Sequence, residues 1–294
     1  MKSIAILGSG WLGTQLGKHL QSTNFKIKVS ARSKEKCDLL LEQGLDTHQV
    51  HIDPINPIIP NEFFTNTDLL IVSLTPVDLS IFEHLVDIIS NYKIPEVILF
   101  SSTGAYKGLS DWVNESTPLL TSNTRVKHLN AIEQLFLAAP TFTCTVIRLG
   151  GLIGQNRHPV KHLAKKKVIE DGNEPVNIAT DEKILPIINK IVSLPITNDI
   201  YNLVNDDHRN KREFYNEAAV KFQIKLPEFI DNPLPKNRKV SNEKIKLAYK
   251  TIELLSLDCL FYRLFYFHIK FLKCNCFFLR NSFHKLYTSS LVFI

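Results

Sequence analysis

Residues 3–13 read Ser3-Ile-Ala-Ile-Leu-Gly8-Ser-Gly10-Trp-Leu-Gly13. Ser3 to Leu7 is a short apolar run of the kind buried on both faces of a parallel sheet. Gly8, Ser9, Gly10, Trp11, Leu12 and Gly13 then form a Gly-x-Gly-x-x-Gly turn, and a helix is expected from about Trp11 to Ser22. In such a turn the first glycine permits the tight bend, the second lets the backbone approach a pyrophosphate, and the third lets helix and sheet pack closely. The helix N-terminus adds unsatisfied N–H groups and a partial positive charge. Strand, glycine turn and amphipathic helix together predict a dinucleotide site. Trp11 is expected either on the cofactor or in the helix–sheet core.

The second strand candidate, Phe25 to Val29, runs on into Ser30-Ala-Arg32-Ser33-Lys34. A site for NAD usually places Asp or Glu here to hold the ribose 2′-OH. No acid is present, and Ser30, Arg32, Ser33 and Lys34 suit a 2′-phosphate, with Arg32 as the forked donor. NADP is therefore expected as cofactor, with NAD the alternative.

Further along, helices and strands alternate. A helix is expected over Lys34–Glu42, a strand over Thr47–Ile52, a strand over Leu69–Ser73 and a helix over Val77–Ile89. A strand follows over Val97–Phe100, then a helix over Arg125–Leu137 and a strand over Cys144–Arg148. This alternation predicts an α/β fold, a Rossmann-type doubly wound parallel sheet with a smaller C-terminal substrate lobe. Ligands of such sheets lie beyond the carboxyl ends of the strands, which brings Ser73 into the candidate cofactor set. The expected organisation is a dinucleotide domain over residues 1–148, a substrate-side lobe over 149–250 and an atypical tail over 251–294. In the second half only Tyr201–Val204 (strand) and Lys211–Phe222 (helix) stand out from a looser pattern that opens with the basic stretch Gly150–Lys167. The tail is dense in Phe, Tyr, Leu and Cys and has no acid after Asp258; it is expected to stand apart from the core.

Composition narrows the function classes. The chain has 294 residues, 44% hydrophobic and 22% charged, with a formal net charge of +6. That is ordinary for a globular protein, and no basic stripe points to nucleic acid. The glycine-broken N-terminus does not read as a signal peptide, and the basic residues of the tail interrupt any membrane span. An odd set of five cysteines argues for reduced thiols in a cytoplasmic protein. Cys274 and Cys276, near His268 and His284, fit no zinc pattern, so no metal is expected. The expected partner is a small-molecule substrate, without nucleic acid or membrane; oligomeric state is left open.

Five blocks in order resemble the extended short-chain dehydrogenase/reductase superfamily, also described as NAD-dependent epimerase/dehydratases, and within it an atypical branch. They are Gly8–Gly13, Ser101-Ser-Thr-Gly-Ala-Tyr106, Trp112-Val-Asn-Glu115, Arg148-Leu-Gly-Gly-Leu-Ile-Gly154 and Tyr201-Asn-Leu-Val204. The likeness covers about residues 1–250. It implies that Ser101–Thr103 lie beside the nicotinamide. It also implies that Arg148 to Pro159 gives the sheet's last strand and a substrate loop, with Arg157 or His158 facing an anionic substrate. Lys236 to Tyr249 resembles the family's closing segment.

The superfamily's usual chemistry uses a Tyr-x-x-x-Lys pair on one helix face. Counting back from the family-like Glu133, those positions fall on Arg125 and Leu129, so the pair is absent. Tyr106 is then the candidate acid or base, with Ser102 and Thr103 as catalytic partners and Arg125 lowering its pKa; lining the pocket is its other reading. Arg125 equally suits a substrate carboxylate or phosphate. Asp181 resembles a family Asp, and a helix N-cap is its simpler role. Three functions follow: an NADP-dependent oxidoreductase on a small carbonyl or hydroxyl compound, a non-catalytic NADP-binding sensor or regulator, and a nucleotide-sugar epimerase or dehydratase.

Overall fold

Strand β1 (Ser3–Leu7) is buried at every position and feeds helix α1 (Trp11–Gln21). The computed structural model describes residues 1–249 other than 77 and 155, and these fall in one compact unit. The chain continues through β2 (Lys26–Ala31), α2 (Lys34–Leu41), β3 (Asp46–Gln49), α3 (Asn61–Phe64) and β4 (Leu69–Val72). Next come α4 (Leu79–Asn91), β5 (Glu96–Ser102), a 3₁₀ turn (Thr103–Tyr106), β6 (Trp112–Val113), α5 (Thr124–Leu137) and β7 (Thr143–Leu149). The remainder is β8 (Gly151–Ile153), α6 (Val160–Leu163), β9 (Ile178–Thr180), α7 (Asp181–Val192), β10 (Asp199–Leu203), α8 (Lys211–Phe222), β11 (Lys239–Val240) and α9 (Glu243–Tyr249).

Seven strands form one parallel sheet in the order β10-β7-β5-β4-β1-β2-β3. From β1 the chain winds one way to β2 and β3, then returns to build β4, β5, β7 and β10 on the other side. The reversal leaves a crevice at the carboxyl ends of β1 and β4. The fold is the expected α/β doubly wound sheet. Two short parallel pairs, β6 with β11 and β8 with β9, build the ground beyond it.

The apolar runs of the strands are explained by two cores, one on each face. Side chains alternate across a strand. Ile4, Ile6, Leu69, Ile71, Ile98 and Ile147 enter one core with α1 and α7. Ala5, Leu7, Leu70, Val72, Val97 and Val146 enter the other with α4 and α5. With both faces covered, every position from Ile4 to Leu7 of β1 and from Leu69 to Val72 of β4 is apolar.

Some expectations shift. Tyr201 lies in β10, which pairs with β7 in the main sheet, so this strand rather than the one containing Arg148 ends it. Helix α3 and the β6–β11 pair are too short to leave a period in the sequence. Asp181 is the first residue of α7, not its cap, and Thr180 stands at the N-cap position. The tail, with its cysteines and His268 and His284, lies outside the described residues. No described helix is long and apolar enough to cross a membrane.

Phe136 is fully buried in the second core, with Phe82 and Phe142 at ring distances of 6.2 and 6.1 Å. Phe136→Ala is expected to cost about 3–5 kcal/mol in chemical denaturation, because the site is braced by strands on one side and cannot collapse.

Candidate functional site

The glycine turn has the geometry a pyrophosphate cradle requires. Gly8 has φ +106°, and a Cβ there would lie 2.7 Å from the Ser73 carbonyl oxygen. A Cβ on Gly13 would fall 2.0 Å from the Gly8 carbonyl oxygen. Above Gly10 the same position is open, with nothing within 4 Å. No side chain caps α1 and no acid stands in its first turn, so the positive end of the helix is left to an anion. The Thr14 hydroxyl donates to the Ser9 carbonyl at 3.1 Å and braces the loop. Leu12 is buried in the core, so only its backbone faces the cradle. The residues therefore fit a dinucleotide diphosphate.

Around this turn the structure gathers Ser73, at the end of β4, and Arg32 and Ser33, at the end of β2. Arg32, Ser33 and Lys34 are exposed. Ser33 also caps α2, accepting from the Lys36 N–H at 3.3 Å. Ser30 is different. It is buried, and its hydroxyl accepts from the Gly8 N–H at 2.9 Å, so it shapes the turn instead of facing a ribose phosphate. Asp53 lies near enough to Arg32 to feel its charge. The Asp53 carboxylate is held by the N–H groups of Ile55 and Asn56, which with those charges keep its pKa below the ordinary aspartate value.

The expected catalytic group is rearranged. Tyr106 is fully buried, its hydroxyl donating to Asn202 Oδ1 at 2.9 Å and accepting from Arg148 Nη1 at 2.9 Å. Burial raises its pKa, and the opposing pull of Arg148 does not restore it. The cation beside it is thus Arg148, not Arg125, and the phenol offers no free face to a substrate. This corrects its assignment as acid or base. Thr103 is also buried, in the 3₁₀ turn. Ser102 remains half-exposed, its hydroxyl accepting from the Gly104 N–H at 3.0 Å. Arg125, exposed on the first turn of α5, lies over Gly104: a Cβ on that glycine would be 3.2 Å from Ser102 Oγ and 3.7 Å from Arg125 Nε. Leu129 is buried, so no amine stands one turn further on.

Of the two substrate-loop residues, neither faces open space alone. Arg157 lies 5.5 Å over the ring of Trp11, which itself packs against the first core. It stays at the crevice mouth. His158 leaves the crevice: its ring stacks on Phe214 at 5.9 Å, and its Nδ1 accepts from the Val160 N–H. Burial, helped by Lys221, lowers its pKa, so it is a neutral packing residue and not an anion ligand.

Sequence reasoning missed the centre of the arrangement. Glu133, fully buried on α5, takes Arg148 Nη2 at 2.6 Å and Arg148 Nε at 3.0 Å, and the Ser101 hydroxyl donates to it at 2.5 Å. Burial works against the Arg148 charge, but the hydrogen bonds and charge of Glu133 outweigh it and hold its pKa above the ordinary value. Asn202 completes the chain, its Nδ2 donating to the Ser241 carbonyl at 3.0 Å and its N–H to Glu115 Oε1 at 2.6 Å. The available signal was the lone acid of α5, Glu133, and the lone base of β7, Arg148.

This fold, with an open glycine cradle at its switch point, is that of NAD-dependent epimerase/dehydratases and short-chain dehydrogenase/reductases. A short-chain dehydrogenase/reductase superfamily protein of Agrobacterium tumefaciens, solved with bound NAD, superposes at TM-score 0.70. It is 12% identical, with 92% of this chain and 98% of that one covered. UDP-glucuronic acid 4-epimerase of Bacillus cereus, in complex with NAD, gives TM-score 0.70 at 13% identity over 86% and 93% of the two chains. In sequence the chain is similar to Protein YeeZ of Escherichia coli (strain K12), 28% identical over 241 residues, or 78% of this chain and 87% of that protein. No family model matches the chain.

Glu133→Ala is expected to destabilise by about 3–5 kcal/mol, because it strands the Arg148 charge in the interior. Urea titrations of Glu133→Leu, Arg148→Met and the pair should show the double variant costing clearly less than the two singles summed. Additive costs would mean that the pair is not coupled.

Proposed function

We propose that the chain is an NADP-dependent oxidoreductase of the extended short-chain dehydrogenase/reductase type, acting in the cytoplasm on a small carbonyl or hydroxyl compound. The observation that carries this reading is the cradle: Gly8 and Gly13 in contacts no side chain could share, below an uncapped helix end. Arg32, exposed at the end of β2 where an NAD site has an acid, supports the 2′-phosphate. When bound, the nicotinamide supplies the hydride donor or acceptor.

Ser102 and Arg125 then stand where a substrate oxygen is held, one hydroxyl and one guanidinium over the same glycine. Arg125 donates hydrogen bonds but does not give up a proton. The proton gained or lost by the substrate oxygen therefore passes to water, and Arg125 serves orientation and charge stabilisation. The locked Tyr106 and the buried Leu129 favour one second reading, a non-catalytic NADP-binding regulator. They weigh more heavily against a nucleotide-sugar epimerase or dehydratase, whose chemistry needs a proton-transferring group twice.

Fluorescence titration with NADPH and NADH tests the reading. NADPH is expected to bind at least about tenfold more tightly, and Arg32→Ala to remove most of that preference. Binding of neither nucleotide sinks the proposal. Tight NADPH binding with no oxidation across a panel of aldehydes, ketones and alcohols selects the regulator.

A further inference from the structure

We infer that Arg238 is the residue that recognises the substrate, through a carboxylate or phosphate group that the substrate carries. The inference rests on the reading of the crevice as a substrate site and names the class of compound that enters it.

Arg238 precedes β11 and is half-buried. Its Nη1 donates to the carbonyl oxygen of Tyr106 at 2.9 Å, which ties it to the turn that closes β5. Its Nε is buried without a hydrogen-bond partner. Among the described residues no carboxylate pairs with it. Glu174 acts on it only from a distance; that carboxylate accepts from Asn232 Nδ2 and the Lys236 N–H. Burial accordingly depresses the Arg238 pKa with little to oppose it.

The position is built, not accidental. Asn177, just before β9, donates through Nδ2 to the Arg238 carbonyl at 2.9 Å and accepts the Val240 N–H at 2.8 Å. The Gly151 N–H, at the start of β8, donates to the Asn177 carbonyl at 2.8 Å. Arg238 is thus fixed where the turn after β5 meets β9 and β11, on the substrate side of the sheet's carboxyl end. A half-buried guanidinium with an unused donor and no counter-charge is unfavourable by itself. An oxyanion arriving from solvent would not reach the enclosed Nε, but at the open edge of the guanidinium it would supply the missing counter-charge, and that group is suited to carboxylate or phosphate. A purely structural arginine gives the opposite picture in this same fold: Arg148 has all its nitrogens engaged and a carboxylate in contact.

The test uses full-length protein, with inorganic phosphate and malonate as probes in calorimetric titration and thermal melting, and NADPH binding measured alongside. At least one probe is expected to bind wild type and raise its melting temperature by about 2–4 °C. Arg238→Met is expected to weaken that probe's binding at least about tenfold, Arg238→Lys to restore part of it, and NADPH affinity to stay within about twofold. Without ligand, Arg238→Met should be at least as stable as wild type, since it removes an uncompensated charge. Equal probe affinity in wild type and Arg238→Met overturns the inference, as does a wild type that binds neither anion. So does an Arg238→Met protein that melts lower while still responding to the anion, because that is the mark of a structural tie. Loss of NADPH binding by wild type is a separate outcome and strikes the dinucleotide reading alone.

Discussion

The buried pair of Glu133 and Arg148 is the constraint around which the crevice is arranged. A carboxylate and a guanidinium removed from water are costly, and their attraction repays the cost only if the remaining donors and acceptors are satisfied. Here they are: Ser101 fills one side of Glu133, and Tyr106 takes the last nitrogen of Arg148. Satisfying that pair fixes the ends of β5 and β7, the turn after β5 and helix α5 in one geometry. Asn202 and Glu115 extend the same chain of bonds to β10 and to the segment after β6. A hydrophobic substitute could match the stability, but it would not specify how those six segments meet.

The arginines sort by function in a way that follows from this. Arg148, Arg209 and Arg212 each have a carboxylate in contact. Arg32, Arg125, Arg157 and Arg238 have none among the described residues. The four without partners stand after β2, on the turn of α5 that faces the end of β5, after β8 and before β11, around the carboxyl-end crevice. Stability alone gives no reason for the arginines that lack a carboxylate to gather on one rim. The proposed anionic ligands, a dinucleotide at one end and a substrate oxyanion at the other, would give that distribution a cause.

How far the sequence disclosed this depends on how local each signal is. The strands were legible because a two-sided core demands unbroken apolar runs, and Ser3 to Leu7 or Leu69 to Val72 can be little else. The glycine turn was legible because Gly8 and Gly13 answer to steric limits set within a few residues. Tyr106, Ser30 and His158 were misjudged for a common reason. Each sits at a strand end or in a loop, where a polar side chain reads as available, yet each is claimed by a distant partner: Asn202 and Arg148, the Gly8 N–H, and the ring of Phe214. Arg238 was invisible for the converse reason. It lies in a basic stretch between Lys236 and Lys239, and only the structure shows which of these cations is tied to the turn after β5.

Tyr106 shows how burial changes what a family motif can do. In the sequence it is a phenol just beyond β5, at the carboxyl end of the sheet, where ligands of such folds lie. In the structure its hydroxyl bridges an arginine in β7 and an asparagine in β10, and its ring lies 5.0 Å beneath the Arg148 guanidinium. Raising its pKa would weaken it as a proton donor, but it also keeps the phenol neutral, and a neutral hydroxyl can donate to Asn202 while accepting from Arg148. An ionised Tyr106 would lose the first of those bonds and break the link to β10. The residue is therefore suited to be a strut for the reason it is unsuited to be an acid, which leaves Ser102 at the end of β5 and Arg125 on the first turn of α5 as the polar side chains still open to solvent beside it.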